Sequence, residues 1–166
     1  GHIIIKRPAA CDWKRIRQGL SLTEDDLVIS CGCIHAGEGT VIRQCYDTLK
    51  SNGVTCKMII VPRHLNEVQD IIREIGEDLL HLYDITTMCK WQMCVIEKMG
   101  ILDDIYLIAD AAVIGGTFSD IETSSGTSSQ KMIELSASSM ARAICQHSSS
   151  LPKVFIQVSD LNWPSR

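Results

Sequence analysis

The sequence contains little of what marks several specialised classes of protein. Aromatic residues make up 5% of its 166 positions, and there are four prolines. No apolar run approaches the roughly 20 residues of a membrane-spanning helix. The net charge of −4 gives no basic excess of the kind that attracts nucleic acid. We therefore expect a soluble globular protein with no nucleic-acid partner.

The common short motifs for metal and nucleotide binding are also missing. The eight cysteines include no C-x-x-C pair, and the sequence contains no Walker motif, no clean G-x-G-x-x-G and no Asp-x-Asp. A zinc site built from Cys89, Cys94 and a histidine is the alternative that this cysteine count leaves open. Since several cysteines lie within apolar strand or helix patterns, we expect reduced thiols that pack as small hydrophobic side chains.

Length and composition fit a single packed domain. A chain of 166 residues can bury a substantial core, and an apolar fraction of 45% with 22% charged residues is ordinary for a globular protein. The strand-like run Ile3-Ile4-Ile5 stands almost at the first residue. We therefore expect the chain to be a piece of a longer protein.

Strand patterns alternate with helical patterns along most of the chain. Short apolar runs of the kind that form buried strands occur near residues 27–32, 56–61, 93–96 and 111–114. Helical spacing occurs at residues 13–20, 41–51, 65–73 and 101–109. Residues 1–6 predict a strand or extended segment, and residues 76–92 predict a weak strand or loop in which Trp91 packs. The alternation predicts an α/β fold, a Rossmann-like parallel sheet with helices on both faces.

Two residues that bind anions well follow one of these strands. The run Met58–Val61 ends at Pro62, which cannot donate to a sheet ladder. Arg63 and His64 come next, just before a helical pattern. Ligands of open α/β sheets bind outside the carboxyl ends of the strands, near helix N-termini, so an Arg and a His at this point favour a phosphate ligand. The alternative is an exposed loop with a surface arginine.

Glycine-containing loops follow two further strands. The first runs from 32 to 39 and carries His35 and Glu38, which we expect to face the same crevice as Arg63 and His64. By itself this loop also fits a purely structural turn between a strand and a helix. The second contains Gly115-Gly116-Thr117, where adjacent glycines permit positive φ and expose backbone N–H groups.

Five stretches, in register, resemble one known family. They read Gly1-His2-Ile3-Ile4-Ile5-Lys6, Ile34-His35-Ala36-Gly37-Glu38, Val61-Pro62-Arg63-His64, Lys98-Met99-Gly100-Ile101-Leu102, and the run from Ile105 to Thr117. The family patterns are G-N-L-K-F-D, S/T-H-E-G-E, V-P-R-H-P, M-G-E-L and L-Y-A-L-A-D-V-A-F-V-G-G-S/T. The chain therefore resembles the 3-deoxy-D-manno-octulosonic acid (Kdo) transferases, which add Kdo to lipid A, and its many cysteines resemble the chlamydial members.

The resemblance implies one half of a GT-B fold, the carboxyl-terminal half that binds the donor CMP-Kdo. It implies that Arg63 and His64 contact the CMP phosphate. Carried over position by position, the other donor-site residues that it implies are Met99, Gly100, Gly115, Gly116, Thr117, His35, Gly37 and Glu38. Arginine and helix N-termini suit the negative charge that develops on a leaving CMP.

The resemblance also implies what the chain works with. No metal and no cofactor are implied beyond the donor CMP-Kdo. The lipid A acceptor and the inner membrane surface would be met through the absent amino-terminal half, which holds the catalytic base. We therefore expect no catalytic residue in this chain, a soluble fragment that is inactive alone, and a whole protein on the cytoplasmic face of the bacterial inner membrane.

The chain departs from the family pattern at several points. Ala36 stands where the family has the first Glu of H-E-G-E, and the match fades after Phe118. The family's G-G-H-N-P-L-E-P is replaced by a Ser-rich stretch, in which Glu134 is the candidate for the family Glu. We divide the chain into a donor-binding domain, 1–118, and a divergent tail, 119–166, with a loop, a helix and a last strand packing on the same domain. We expect the tail's first residues, 119–129, to be mobile.

Two other functions remain open. The chain could be a degenerate Rossmann-like module that binds no donor or serves as an interaction domain, which Ala36 and the altered tail favour. It could also be a GT-B transferase with another nucleotide-sugar donor. Retention of Arg63 and His64 favours donor binding, because a scaffold alone does not require charged residues at strand ends.

Overall fold

The structure is a computed structural model that describes residues 2–4, 12–116 and 154–157, with the single positions 138 and 142. Its strands are β1 (His2–Ile4), β2 (Val28–Ile34), β3 (Lys57–Pro62), β4 (Leu79–Leu82), β5 (Met93–Ile96), β6 (Ala111–Ile114) and β7 (Val154–Gln157). Its described helices are α1 (Asp12–Gly19), α2 (Gly39–Ser51), α3 (Val68–Ile75) and α4 (Leu102–Ile108), and a 3₁₀ turn, Leu65–Glu67, precedes α3. The predictions for Thr117, Glu134 and residues 119–129 lie outside the described residues.

The described strands form one sheet in the order β1-β7-β6-β2-β3-β5-β4. Every neighbouring pair is parallel except β1 and β7, which are antiparallel. The four strands predicted from short apolar runs are β2, β3, β5 and β6, and all four run parallel. The predicted α/β fold is therefore confirmed. The weak pattern at 76–92 contains a regular edge strand, β4, whose first three residues are only partly buried.

Strand β3 explains how helices come to cover both faces of the sheet. Successive side chains of a strand point to opposite faces. Met58 and Ile60 pack with α2 and α3, whereas Ile59 and Val61 pack with α1 and α4. Because both faces are buried, the strand is a continuous apolar run rather than an alternating one. Burial of one such side chain contributes about 1.5–3 kcal/mol.

Most described cysteines are part of these cores. Cys31, Cys45, Cys56 and Cys94 are buried. Burial raises the pKa of the Cys31 and Cys94 thiols, so both stay protonated and pack as small hydrophobic groups. Cys89 is exposed, and within the described part of the chain neither Cys89 nor Cys94 belongs to a group of three metal-ligating side chains.

None of the described helices combines the length and the apolar content that crossing a bilayer requires. The longest of those given above, α2, has 13 residues and pairs a buried face with a polar one.

A buried arginine, Arg17, joins α1 to the amino end of β2, which is the end of the sheet away from the predicted site. Arg17 is 2% exposed, and its guanidinium donates to the carbonyls of Ile108 at 2.9 Å and Asp26 at 2.7 Å. Its Nη1 lies 3.8 Å from Oδ2 of Asp110, which accepts the N–H of Val28 at 2.9 Å. A buried charge is tolerated only with such partners. This network therefore holds α1 and α4 against the start of β2.

Replacing Arg17 with Met should destabilise the fold strongly. The variant leaves the buried Asp110 carboxylate and the carbonyls without their cation, so we expect the free energy of unfolding to fall by about 3–5 kcal/mol. Urea denaturation followed by circular dichroism measures this. Gln18→Met is the control, because Gln18 is exposed on the same helix, and it should change stability by less than about 0.5 kcal/mol. Equal effects of the two variants would contradict the structural role of Arg17.

Candidate functional site

The described residues among those predicted for the site lie just after β2, β3 and β6, with Met99 and Gly100 in the turn between β5 and α4. Ile34 lies opposite Pro62 in the pairing of β2 with β3, and the N–H of Arg63 donates to the carbonyl of Ile34 at 2.9 Å. Strand β6 lies on the other side of β2. After β2, the chain forms β3 on one side of that strand and later forms β6 on the other side. Open α/β sheets bind ligands at such a change of direction, outside the carboxyl ends of the strands.

A pocket of about 150 Å³ opens beside Arg63. It lies between the end of β3 and the turn that leads into α4. Its lining residues are Cys33, Val61, Pro62, Arg63, Lys98, Met99, Gly100 and Leu102. The structure thus brings Arg63 together in one pocket with two other predicted residues, Met99 and Gly100, which come much later in the sequence.

Two cations stand at this pocket. Arg63 is exposed, and Lys98 Nζ lies 2.8 Å from Oδ1 of Asp84. The hydrogen bond from Lys98 lowers the pKa of Asp84, which stays ionised at neutral pH. A planar guanidinium beside an ammonium group suits a phosphate ligand. Sequence reasoning did not select Lys98 as a site residue, although it directly precedes Met99.

Glu38 lies beneath the two glycine-containing loops. Its side chain is fully buried, and Oε1 accepts the N–H of His35 at 2.7 Å. Its two oxygens also accept the N–H of Gly116, at 3.2 and 3.0 Å. The carboxylate therefore joins the loop after β2 to the loop after β6. The structure thereby gives Glu38 a positioning role that the loop pattern did not predict.

The pair Gly115-Gly116 makes this contact possible. A Cβ at position 115 would lie 2.6 Å from the carbonyl oxygen of Cys33 and 2.8 Å from Oε1 of Glu38. Gly116 has φ +104°, a conformation that residues with a Cβ rarely adopt. Two glycines are therefore needed for the backbone to approach Glu38 so closely.

The outer part of the first loop is held by α3. The N–H groups of Gly37 and Gly39 donate to the carboxylate of Glu74, at 2.7 Å and 3.0 Å. Gly37 is exposed and has φ +91°. Its backbone N–H is thus engaged by the protein itself, and the loop is fixed from two sides, by Glu38 and by Glu74.

Three further side chains, those of His35, His64 and Glu67, lie together next to Arg63. Nδ1 of His35 lies 3.4 Å from Oε1 of Glu67, and the rings of His35 and His64 have centroids 5.6 Å apart. The other oxygen of Glu67 accepts the N–H of Ala36. Sequence reasoning predicted His35 and His64 for the same crevice but did not select Glu67. The spacing of three residues from His64 is the signal that could have found it.

Comparisons with known proteins agree with the motif resemblance. No family model matches the chain. It is 27% identical over 104 residues to the 3-deoxy-D-manno-octulosonic acid transferase of Aquifex aeolicus, a match that covers 63% of this chain and 29% of that protein. It is 32% identical over 90 residues to a probable mitochondrial 3-deoxy-D-manno-octulosonic acid transferase of Arabidopsis thaliana, over 51% of this chain and 20% of that protein. The resemblance to the Kdo transferases is thereby confirmed, and the chain spans less than a third of the length of these relatives.

A solved structure also shows some likeness. It is the C-terminal CMP-Kdo binding domain of WaaA from Acinetobacter baumannii, with a TM-score of 0.45 and 21% sequence identity. The likeness covers 61% of this chain and 54% of that chain.

Replacing Glu38 with Gln tests the link between the two loops. The variant keeps the size of the side chain but replaces one of its two acceptor oxygens with an amide donor, which faces the N–H of Gly116. We expect the free energy of unfolding to fall by about 1–3 kcal/mol, as for a buried polar group that loses its partner. Urea denaturation measures this, and the exposed Glu77, changed to Gln, is the control that should stay within about 0.5 kcal/mol. A silent Glu38→Gln variant would show that the carboxylate does not hold the loops.

Proposed function

We propose that this chain is the donor-binding half of a GT-B glycosyltransferase that transfers Kdo from CMP-Kdo to lipid A in lipopolysaccharide biosynthesis. The observation that carries the proposal is the pocket that unites Arg63 with Met99 and Gly100. These residues belong to the V-P-R-H and M-G stretches on which the resemblance depends. Relatives named as Kdo transferases and a parallel α/β sheet support the same assignment.

The charges at the pocket fit the proposed donor. CMP-Kdo carries a phosphate and a carboxylate, and its cleavage leaves further negative charge on CMP. Arg63 would bind two phosphate oxygens through its planar guanidinium, while Lys98, which also pairs with Asp84, adds a second cation to the pocket lining. Stabilisation of developing charge by fixed cations is among the largest contributions to catalysis of group transfer.

The neighbouring loops complete the proposed donor site. His64 directly follows Arg63 in the sequence, and its ring lies beside that of His35. Each imidazole is able to donate to an anionic group. Met99 and Gly100 would lie against the nucleotide, and the loop of Gly115, Gly116 and Thr117 would meet the sugar. Gly37 and Glu38 would shape the cleft wall through the backbone that they position. Glu134 is proposed as the counterpart of the family Glu at the nucleotide.

The remaining parts of the reaction belong to the proposed whole protein. A base that takes the proton of the lipid A hydroxyl would come from the amino-terminal half, as in the family that the chain resembles. This chain alone would bind the donor without transferring Kdo, and no cofactor is proposed for the transfer. The whole protein would act at the cytoplasmic face of the bacterial inner membrane, where lipid A is reached.

One observation favours a competing function. Ala36 replaces the first family Glu, and its N–H is engaged by Glu67 rather than by a ligand. A module that keeps the scaffold but binds no donor would tolerate this change.

A transferase with another nucleotide sugar would keep the pocket but prefer a different nucleotide. Titration with CMP and with UDP separates these possibilities from the proposed one.

Arg63→Ala should weaken CMP binding without unfolding the protein. Loss of a charge-assisted hydrogen bond of about 1.5–3 kcal/mol predicts an affinity roughly ten- to a hundredfold lower. Isothermal titration calorimetry with CMP measures this. Arg63→Lys should recover only part of the affinity, because an ammonium group cannot bind two phosphate oxygens in one plane. His64→Ala should have a milder effect if His64 does not touch phosphate, and a comparable one if it does.

Controls for this experiment come from the same chain. Thermal melting checks that each variant is folded. Arg73→Ala removes another exposed arginine, which pairs with Asp70 on α3, and should leave CMP affinity unchanged. Unchanged CMP affinity in a folded Arg63→Ala protein would overturn the proposed phosphate site.

A further inference from the structure

We propose that His35, His64 and Glu67 form a binding site for a divalent transition-metal ion of the Zn²⁺ class. Each residue offers one ligand atom, and these atoms all lie within 4.8 Å of one another. His35 and His64 also stand at the proposed donor site, but none of the three side chains lines the pocket that Arg63, Met99 and Gly100 share, and the metal proposal does not depend on CMP binding. Among the described residues, this is the group of three metal-ligating side chains that the fold brings together.

Strand register brings the two histidines together. Strands β2 and β3 are parallel neighbours, and the pairing of Ile34 with Pro62 leaves their carboxyl ends level. His35 directly follows β2, and His64 comes two residues after β3. Their rings meet edge to face, with centroids 5.6 Å apart and an angle of 69° between their planes. Both imidazoles therefore reach the same point without any change in the backbone.

The 3₁₀ turn adds the carboxylate. In a 3₁₀ turn, residues i and i+3 lie one above the other, in contrast to the offset of an α-helix. The N–H of Glu67 donates to the carbonyl of His64 at 3.1 Å, the bond that defines this geometry. His64 caps this turn with an extended backbone, and the bond brings Glu67 back beside it, so both side chains lie next to His35.

Glu67 is already oriented as a ligand would be. One of its oxygens is held by the N–H of Ala36, which leaves the other directed at Nδ1 of His35, 3.4 Å away. Two ligands on a tetrahedral ion with bonds of about 2.0–2.1 Å lie roughly 3.4 Å apart. The pair formed by His35 and Glu67 thus has the spacing that a metal requires. His64 is exposed, and its ligand atom already lies within 4.8 Å of those of His35 and Glu67.

The ligand types decide which metal would bind. Two imidazoles with one carboxylate suit Zn²⁺, Co²⁺ and Ni²⁺, whereas Mg²⁺ and Ca²⁺ prefer oxygen ligands. Three protein ligands leave a coordination position for water or an anionic group. Glu67 also receives the N–H of Ala36, the kind of outer contact that fixes a ligating carboxylate.

Metal titration of the 166-residue chain tests the proposal. Co²⁺ is added and its visible d–d absorption followed, with Zn²⁺ used in competition. We expect one equivalent to bind without the near-ultraviolet charge-transfer band that thiolate ligands produce. His35→Ala, His64→Ala and Glu67→Gln should each lower the affinity at least tenfold. Glu67→Gln keeps an oxygen that can accept the N–H of Ala36, so its loop should stay folded, and melting curves check all variants.

The chain supplies a matched control in a second histidine–glutamate pair. Nε2 of His81 lies 2.7 Å from Oε2 of Glu97, but within the described residues this pair has no third ligand. His81→Ala should therefore leave metal affinity unchanged, as should Cys89→Ser and Arg63→Ala. An Arg63→Ala variant that loses CMP affinity but keeps metal affinity would show that CMP binding and metal binding are independent of each other. The metal site would be overturned by an absence of binding, by thiolate absorption, or by His81→Ala weakening binding as much as His64→Ala.

Discussion

The buried carboxylate of Glu38 is the contact on which the candidate site depends. It accepts N–H groups from His35 and Gly116, and so joins the loops that follow two neighbouring parallel strands. A fully buried acidic group is stable only when such donors surround it. Gly115 is needed for the same contact, because a Cβ at this position would collide with Glu38. The positions of both loops depend on this carboxylate, which the carboxylate of Glu74 supplements at the first loop.

The site consequently has an inner and an outer layer. The carboxylates of Glu38 and Glu74 form the inner layer, because they accept backbone N–H groups and so hold the loops in place. Exposed groups, Arg63 and His64, follow the neighbouring strand β3, where the N–H of Arg63 is held by the carbonyl of Ile34. The inner layer accounts for stability, and the outer layer is the part that we propose recognises an anionic ligand. A substitution in one layer should therefore leave the property of the other layer largely intact, except where a loop moves.

The sequence predicted the parts of the fold that depend on local pattern. The run Met58–Val61 is apolar throughout because both faces of β3 are buried, and the ends of parallel strands converge by geometry alone. The contact of Glu67 with Ala36 could not be predicted, because it depends on the register between β2 and β3. Strand β4 gave a weak pattern since its edge position leaves it partly exposed. The inward direction of Glu38 was also hidden, because the sequence gives its position on the loop but not which way the side chain turns.

The central claim is that the pocket beside Arg63 binds a nucleotide, and two cysteines allow a direct test. Cys33 lines this pocket and is half-buried, whereas Cys89 is exposed and lies outside the pocket lining. Alkylation by iodoacetamide, with and without excess CMP, is followed at both thiols by mass spectrometry of peptides from one sample. We expect CMP to slow alkylation of Cys33 several-fold and to leave the rate at Cys89 unchanged. Equal rates at Cys33 with and without CMP would contradict the central claim.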